Sequence, residues 1–203
     1  AGSMLLDHLQ IEPERLLEVE LQPLDWPEFV INDGARCYVC KKRMYQHFLT
    51  VLEGKNISVL LDGSNVDDLK SHRPGSRAIE ELGVKTPLLD AGLTKKDIRA
   101  LASVFQLANH AKPSNSCLAT RFPEGSPVTR EGLELVAQCE SFLLSRGFSG
   151  CRVRPGSKKD VVLQVTAEDM GRLLETFERQ EIIDYFSNVG FEKVLIDLRV
   201  RSL

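Results

Sequence analysis

Apolar residues recur at helical spacing in several parts of the chain. Between Cys40 and Leu52 this spacing predicts an amphipathic helix. Its apolar face comprises Met44, Phe48, Val51 and Leu52. In residues 94–107 the same spacing follows Thr94, which has Asp97 three positions later, a variant of the capping box that begins many helices.

One short apolar run has the pattern of a buried strand. Residues 56–65, NISVLLDGSN, end in a Gly-containing turn, which is typical of a parallel strand in an α/β sheet. A short helix is predicted from Ser76 to Leu82 and is ended by Gly83. This alternation of strand and helix predicts an α/β unit with a parallel sheet in the first half of the chain.

The segment 112–127 interrupts the alternation. Its sequence, KPSNSCLATRFPEGSP, contains three prolines and several small polar residues, which favours a long loop and a domain boundary. Beyond it the pattern predicts a helix at 129–146, strands in GCRVRP and DVVLQVT, helices near 167–178 and 180–188, and a strand at 193–200. The order α-β-β-α-α-β predicts a compact α+β domain.

Length and composition set limits on the domains and on the class of partner. The 203 residues are enough for two small domains, which we place at 1–122 and 123–203, and residues 1–4 (AGSM) resemble a cloning remnant. The net charge of −3 argues against a non-specific nucleic-acid-binding protein. No apolar run approaches the roughly 18 residues of a membrane span, and no signal-peptide pattern is present, so we expect a cytoplasmic protein without a membrane partner.

Two of the five cysteines, Cys37 and Cys40, form a CxxC motif just ahead of the predicted helix. Helix amides and basic neighbours favour the thiolate, which is the form that binds metal. In a reducing compartment CxxC indicates metal or redox chemistry more often than a structural disulfide. On the motif alone, a structural zinc clip, a redox pair and a coincidence of composition all stay open.

The other cysteines separate into two groups. Cys139 and Cys151 have apolar neighbours at helical and strand spacing, which predicts positions in the core. Cys117 lies among polar and basic residues of the proline-rich loop and is predicted to be a reactive thiol or a metal ligand. Together with Cys37 and Cys40 it makes a set of three thiols, which suits an iron–sulfur cluster with one iron left without a protein ligand. Zinc would need a histidine or water in addition, and the histidines show no metal-ligand spacing (His8, His47, His72, His110).

Two further groups of residues could bind ligands. Arg152 and Arg154 are two apart on a predicted strand and so share a face, which matches phosphate or carboxylate, although a solvated strand face would look the same. Asp62 is at the carboxyl end of the predicted parallel strand, where α/β proteins place ligand sites. We therefore expect Asp62, Gly63 and Asn65 to bind a cofactor. Asp67 and Asp68 either bind a cation or cap the next helix.

Taken together, several segments resemble the LarE family of ATP-dependent sulfur transferases, which belongs to the ExsB-like group. They are RCYVCK, LLDGSNVDDLKSHRPGSRAIEELGVKTPLLDAGLTKKDIRALA and KPSNSCLATRFPEGSPVT, and the resemblance is dense from about Glu20 to Thr129. The family acts in making the nickel-pincer nucleotide cofactor of lactate racemase. The resemblance implies a Rossmann-like PP-loop domain (adenine nucleotide alpha hydrolase-like, α/β) at 1–122 and a small α+β domain for substrate binding or oligomerisation at 123–203.

The resemblance also implies a reaction. ATP, with Mg²⁺, adenylates a carboxylate of a pyridinium mononucleotide, and sulfur is delivered to the activated carbonyl. In one branch of the family the cysteine matching Cys117 gives up its own sulfur and becomes dehydroalanine. In another branch that cysteine and the CxxC pair hold a 4Fe–4S cluster whose open iron carries the sulfur. Because Cys37, Cys40 and Cys117 are all present, the cluster branch is expected, with Cys117 as the catalytic residue.

Positions that match the family's substrate contacts lie in the second half of the chain. Thr120 and Arg121 stand where the family has Ser-Arg, and the segment with Arg152 and Arg154 matches the family's arginine strand, which faces the substrate phosphate. Asp197 and Arg201 match the family's ending loosely. The implied substrate-binding residues are thus Thr120, Arg121, Arg152, Arg154, Asp197 and Arg201. Gln164 stands where the family has a glutamate.

One family signature is not found in the sequence. The PP-loop, Ser-Gly-Gly-x-Asp-Ser, does not occur, so we expect that the first domain is incomplete at its N-terminus, that a separate chain supplies the loop, or that this member has lost ATP use. Two alternatives stay open: a tRNA-thiolating enzyme of the same fold, and a non-catalytic subunit whose partner carries the PP-loop. We also expect a homo-oligomer.

Overall fold

The computed structural model describes residues 12–70, 74–112 and 114–201. The predictions for residues 1–4, His8 and His72 lie outside these ranges. The chain divides into two compact units. Unit 1 contains the described residues up to 112 except 30–32, and unit 2 contains 30–32 and the described residues from 114 onward. The assignment of domains at 1–122 and 123–203 stays a prediction.

Short helices dominate the first part of the chain, and a single small sheet follows. Up to residue 112 the helices are α1 (Pro27–Ile31), α2 (Arg36–Glu53), α3 (Val66–Leu69), α4 (Ser76–Glu81), α5 (Pro87–Asp90) and α6 (Lys95–Val104). After it come a 3₁₀ turn (Leu118–Arg121), α7 (Arg130–Ser145), β1 (Arg152–Pro155), β2 (Asp160–Gln164), α8 (Ala167–Leu173), α9 (Thr176–Asn188) and β3 (Lys193–Ile196). The protein is therefore a helix-rich mixed α/β structure. Within the described ranges, no helix combines the length and the apolar character that crossing a bilayer requires.

Unit 1 is organised around α2. This helix confirms the predicted one and begins four residues earlier, at Arg36. It packs against α4, and its Tyr45 forms a small core with Ile79 and Val84. Gly83 has a φ of 65°, the left-handed conformation that ends the α4 segment and that residues with a Cβ rarely adopt.

The capping box predicted for α6 is confirmed. The Thr94 side chain accepts a hydrogen bond from the Asp97 amide, and the Asp97 carboxylate accepts one from the Thr94 amide at 3.0 Å. These two bonds satisfy N–H groups that the first turn of a helix leaves without partners.

The burial predicted for the strand at 56–65 is wrong. This segment forms an isolated parallel bridge between Leu61 and Lys85. The side chains of Ile57, Val59 and Leu61 are 46%, 51% and 61% exposed. A strand is buried on both faces only where other layers cover both, and unit 1 as described covers one face of this segment.

Unit 2 confirms the order of elements that the sequence predicts. Its sheet has the order β1-β2-β3, with β2 antiparallel to β1 and parallel to β3. One face packs on α7, α8 and α9, and the residues buried there include Val136, Leu143, Phe148, Val153, Val161, Leu163 and Phe186. Because side chains alternate across a strand, Arg152, Arg154 and Gln164 project from the opposite face.

Candidate functional site

A cluster of guanidinium groups lies in unit 2. Arg152 and Arg154 come from β1, Arg121 from the 3₁₀ turn, and Arg201 from the segment after β3, where it bridges to Thr166. Burial, and then the charges of the neighbouring arginines, lowers the pKa values of Arg152, Arg154 and Arg201. So many like charges at one place are costly unless anions balance them.

Arg121 is the fully buried member of the cluster, with no exposed side-chain surface. Its Nε and Nη2 donate to the two carboxylate oxygens of Glu140 at 2.6 and 3.1 Å. Its other N–H groups donate to Ser116 Oγ (2.8 Å), Thr120 Oγ1 (3.1 Å) and Asn115 Oδ1 (2.9 Å). All five N–H groups are thus engaged, so Arg121 organises the loop around Cys117. Its role in binding substrate stays a prediction.

Glu140 is a site residue that the sequence reasoning missed. Besides holding Arg121, its Oε1 accepts a hydrogen bond from the Val153 amide at 3.0 Å, which ties α7 to β1 between the two strand arginines. The available signal was its position in α7 beside Cys139, which faces the core. A carboxylate on that side of a helix needs a partner, because a buried charge is costly when unpaired.

Arg154 is held on two sides. Its Nε donates to Gln164 Oε1 and its Nη1 to the Thr120 carbonyl, both at 2.7 Å. The Gln164 amide in turn donates to Asp197 Oδ2 at 2.7 Å, and Asp197 also pairs with the exposed Arg199. Hydrogen bonds from Arg199 and then Gln164 hold the pKa of Asp197 below its usual value.

Arg152 has no such partners. In the described part of the chain none of its guanidinium N–H groups donates a hydrogen bond, and its Nε is buried. Burial, and then the charges of Arg201, Arg121 and Arg154, lowers the pKa of Arg152 to about 10. Among the described residues, the guanidinium of Arg201 donates one hydrogen bond, from Nη2 to the Ser114 carbonyl at 3.2 Å. A desolvated guanidinium among other guanidiniums is suited to an anionic ligand such as phosphate.

The Cys117 loop adjoins this cluster through Thr120. Cys117 is exposed and caps the 3₁₀ turn, and its carbonyl accepts hydrogen bonds from the Thr120 amide (2.9 Å) and hydroxyl (2.7 Å). The carbonyl of Thr120 receives Arg154. The structure therefore brings Thr120, Arg121, Arg154 and the backbone of Cys117 into one hydrogen-bonded network.

Cys37 and Cys40 lie in unit 1, inside α2. The expectation that the pair stands ahead of a helix beginning near Cys40 is wrong, because the helix begins at Arg36. Their spacing of three puts both thiols on one helical face, with Cys37 exposed, Cys40 half-buried, and Arg36 Nη2 3.5 Å from Cys37 Sγ.

No group of three or more His, Cys, Asp or Glu side chains within residues 12–70, 74–112 and 114–201 is arranged to hold a metal ion. The set of Cys37, Cys40 and Cys117 stays a prediction. Cys139 and Cys151 are buried as predicted, and burial, followed by the charge of Glu140, raises the pKa of each thiol to about 12.

The segment predicted to bind a cofactor is densely hydrogen-bonded. Asp62 accepts bonds from the Ser64 amide (2.8 Å), the Ser64 hydroxyl and the Tyr45 hydroxyl, and Lys41 Nζ lies 3.3 Å from its Oδ2. Four donors use the acceptor capacity of a carboxylate. The role of Asp62 in cofactor binding stays a prediction.

The residues after Asp62 mainly cap helices. Asn65 is buried and caps α3 in a capping box with Asp68, while Asp67 accepts hydrogen bonds from Lys70 Nζ (2.7 Å) and the Lys95 amide (2.8 Å). Gly63 faces open space, since a Cβ there would meet no atom within 4 Å. The roles of Gly63 and Asn65 in cofactor binding stay predictions.

Several known proteins are similar in sequence to this chain. No protein-family model matches the chain. It is 32% identical over 182 residues to the uncharacterized protein MJ0830 of Methanocaldococcus jannaschii, across 90% of this chain and 70% of that protein. It is 30% identical over 173 residues to the uncharacterized protein slr1717 of Synechocystis sp., across 85% and 64%.

A third relative has a described activity. The chain is 30% identical over 168 residues to the pyridinium-3,5-bisthiocarboxylic acid mononucleotide synthase of Lactiplantibacillus plantarum, across 82% of this chain and 59% of the synthase. The chain thus spans between 59% and 70% of the length of these three relatives.

Proposed function

The chain belongs to the same family as the Methanocaldococcus jannaschii protein MJ0830 and is similar to the Lactiplantibacillus plantarum synthase, and from this we propose that it is a LarE-like sulfur transferase. Its substrate is a pyridinium mononucleotide, and its product serves the synthesis of the nickel-pincer nucleotide cofactor. Sulfur goes to a carboxylate that ATP has activated.

The observation that carries the proposal is the guanidinium of Arg152, which has no hydrogen-bond partner among the described residues. A mononucleotide presents a phosphate monoester, which is a dianion near neutral pH. Arg152, with its buried and unsatisfied Nε, and Arg154, held by Gln164 and Thr120, offer two adjacent cations on one face of β1. Phosphate would neutralise the charge that the cluster leaves unbalanced.

A chain of hydrogen bonds connects Cys117 to the face of β1 that carries Arg152 and Arg154. Arg154 and the Cys117 carbonyl are both bonded to Thr120. A mononucleotide held by its phosphate at Arg152 and Arg154 would keep its other end in reach of this loop. We assign Cys117 the role of the thiol that takes part in sulfur delivery.

We further propose that Cys37, Cys40 and Cys117 hold a 4Fe–4S cluster. The donor set fits, because three thiolates leave one iron without a protein ligand, and the two thiols of α2 share a helical face. When bound, such a cluster supplies an open iron that can carry sulfur. The chain's own part is to provide the thiolates and to hold the substrate.

Binding of nicotinic acid mononucleotide, measured by calorimetry, tests the substrate assignment. The wild-type protein is expected to bind it, and Arg152→Ala is expected to weaken binding by about ten- to a hundredfold, the worth of one or two charge-assisted hydrogen bonds. Arg179→Ala is the matched control, because Arg179 is an exposed guanidinium on α9. Equal affinities of the wild type and Arg152→Ala would overturn the proposal.

Anaerobic reconstitution with iron and sulfide tests the cluster separately. Alanine at Cys37, Cys40 or Cys117 is expected to abolish bound iron, whereas alanine at the buried Cys139 leaves it unchanged. Zinc without iron in the purified protein, or iron retained by Cys117→Ala, would contradict the cluster. ATP use is tested by nucleotide binding with and without Mg²⁺.

A further inference from the structure

Gln164 lies at the end of the central strand, on the open face of the sheet in unit 2. It lies on the central strand β2, and its Cα pairs with that of Arg152 on β1. Its Oε1 accepts from Arg154 Nε and its Nε2 donates to Asp197 Oδ2, both at 2.7 Å. One amide therefore links a cation on one neighbouring strand to an anion at the end of the other.

The orientation of this amide follows from its partners. A guanidinium can only donate and an ionised carboxylate can only accept. The Gln164 oxygen must therefore face Arg154 and its nitrogen must face Asp197, so the network has one consistent arrangement. Few side chains satisfy both neighbours, since the position requires an acceptor and a donor on one planar group.

These hydrogen bonds fix the orientation of the Arg154 guanidinium. The Nε and Nη1 atoms of Arg154 are held by Gln164 and by the Thr120 carbonyl. Its Nη2 is the remaining group, and it has no acceptor among the residues that the structure describes. The amide is also neutral, so it holds Arg154 without cancelling its charge.

A glutamate at this position would act differently. It could accept from Arg154 but could not donate to Asp197, and two carboxylates in contact repel. It would also neutralise Arg154. The charged groups around the position are Arg152 and Arg154 on β1, Asp197, Arg199 and Arg201 after β3, and the pair of Arg121 and Glu140.

We propose that Gln164 is the positioning residue of the anion site: it directs Arg154 toward the ligand and preserves the positive charge that selects a dianion. This inference rests on the proposed binding of a phosphate monoester at Arg152 and Arg154. It goes beyond that proposal because it assigns the selectivity for a doubly charged anion to a neutral residue that need not touch the ligand.

The test uses sulfate as the probe, because sulfate stays a dianion between pH 5 and pH 8. Calorimetry is run on the wild type, Gln164→Glu and Gln164→Ala across that range. Gln164→Glu is expected to bind sulfate about tenfold or more weakly from pH 5 to pH 8, as expected when one charge-assisted contact is lost, because a carboxylate beside Arg152 and Arg154 stays ionised over this range. Gln164→Ala is expected to bind several-fold more weakly at every pH, because the charge of Arg154 remains while its support is lost.

A matched control repeats the same chemical change elsewhere. Gln180 Nε2 donates to Asp184 Oδ1 at 2.8 Å on the exposed side of α9. Gln180→Glu also places a second carboxylate beside an aspartate, and it is expected to leave sulfate affinity and its pH profile unchanged. Sulfate affinity that falls equally in Gln180→Glu would show a general charge effect and overturn the role of Gln164.

The outcomes separate this inference from the proposed function. If Arg152→Ala abolishes sulfate binding while Gln164→Glu and Gln164→Ala bind like the wild type, the anion site stands and the role of Gln164 falls. If the wild type does not bind sulfate or phosphate, both fall. If Gln164→Glu does not fold, Gln164→Ala still decides, because the inference requires its several-fold loss at every pH.

Discussion

Both carboxylate oxygens of Glu140 accept hydrogen bonds from the buried guanidinium of Arg121, at 2.6 Å from Nε and 3.1 Å from Nη2. This pair joins the loop of Cys117 to the helix that underlies the sheet. It also engages the carboxylate of Glu140, and Arg152 has no hydrogen-bonded counterion in the described structure. The same pairing therefore stabilises the unit and leaves the ligand site charged.

Glu140→Ala is expected to be strongly destabilising. It would leave the charge of Arg121 buried without a partner, which costs about 3 to 5 kcal/mol of unfolding free energy. Chemical unfolding followed by circular dichroism measures the change. Glu192→Ala is the control, because Glu192 pairs with Lys159 at 3.3 Å with both side chains 67% exposed, and such pairs are worth at most about 1 kcal/mol. Similar losses in the two variants would contradict the assignment.

Arg152→Met is expected to raise the unfolding free energy in buffer without multivalent anions. Because the folded state lowers the pKa of Arg152, its protonation at pH 7 costs stability, and that cost begins to fall only as the pH rises through about 10. Methionine keeps the apolar stem and removes the charge.

Sulfate is expected to make the unfolding free energy of the wild type higher than that of Arg152→Met. A ligand at one hundred times its dissociation constant stabilises its target by about 2.7 kcal/mol. Sulfate should thus stabilise the wild type beyond the general salt effect that Arg152→Met also shows. Unfolding curves of both proteins in chloride and in sulfate provide the comparison, and parallel shifts would exclude an anion site at Arg152.

Tyr45→Phe is expected to cost about 1.5 to 3 kcal/mol at pH 7, the worth of a hydrogen bond to a charged group. Burial acts to raise the pKa of Asp62, but hydrogen bonds from Ser64 and Tyr45 and the charge of Lys41 outweigh it, so the pKa is lowered. A lowered pKa gives stability that is full above the unfolded value of about 3.9 and is lost as the pH falls through the folded value.

The difference between the wild type and Tyr45→Phe should therefore shrink in acid. Unfolding free energies measured from pH 7 down to pH 3 test this. Tyr38→Phe is the control, since the Tyr38 hydroxyl donates to Glu81 at 2.6 Å in an exposed setting and should matter less. A difference that does not depend on pH would show that the Tyr45 hydroxyl does not act through the charge of Asp62.

The cysteines are expected to react with alkylating agents in two groups. At pH 8 the exposed Cys37 and Cys117 should be modified in the native protein. Cys139 and Cys151 should be modified only after unfolding, because they are buried and their pKa values are raised to about 12. Peptide mass spectrometry of a time course gives the order, and modification of Cys151 together with Cys37 would contradict the described packing.

Local patterns predict the helices and their caps well. The helix containing Tyr45 and the capping box of Thr94 depend on residues within a few positions of each other, so spacing alone reveals them. The burial of residues 57–61 could not be predicted in the same way. An apolar run shows that a segment can be buried, but the covering layers come from elsewhere in sequence, and this structure exposes Val59 and Leu61.

In the candidate site, too, local patterns predict some features, while others depend on residues far away in sequence. The shared face of Arg152 and Arg154 follows from the alternation of side chains along a strand. The roles of Glu140 and Gln164 depend on partners far away in sequence: Glu140 holds Arg121, and Gln164 reaches Asp197 across the sheet. Neither contact leaves a periodic pattern, and both residues read as ordinary polar positions.

Thr120 gives the carbonyl that holds Arg154, while its amide and hydroxyl hold the carbonyl of Cys117. Thr120 is therefore the residue that lies between an anion bound by Arg154 and a group bound at Cys117. Thermodynamic reciprocity then applies: if occupancy of one site changes the affinity of the other, the reverse effect has the same factor. The sulfate affinity measured before and after modification of the Cys117 thiol would show whether Thr120 couples the two sites.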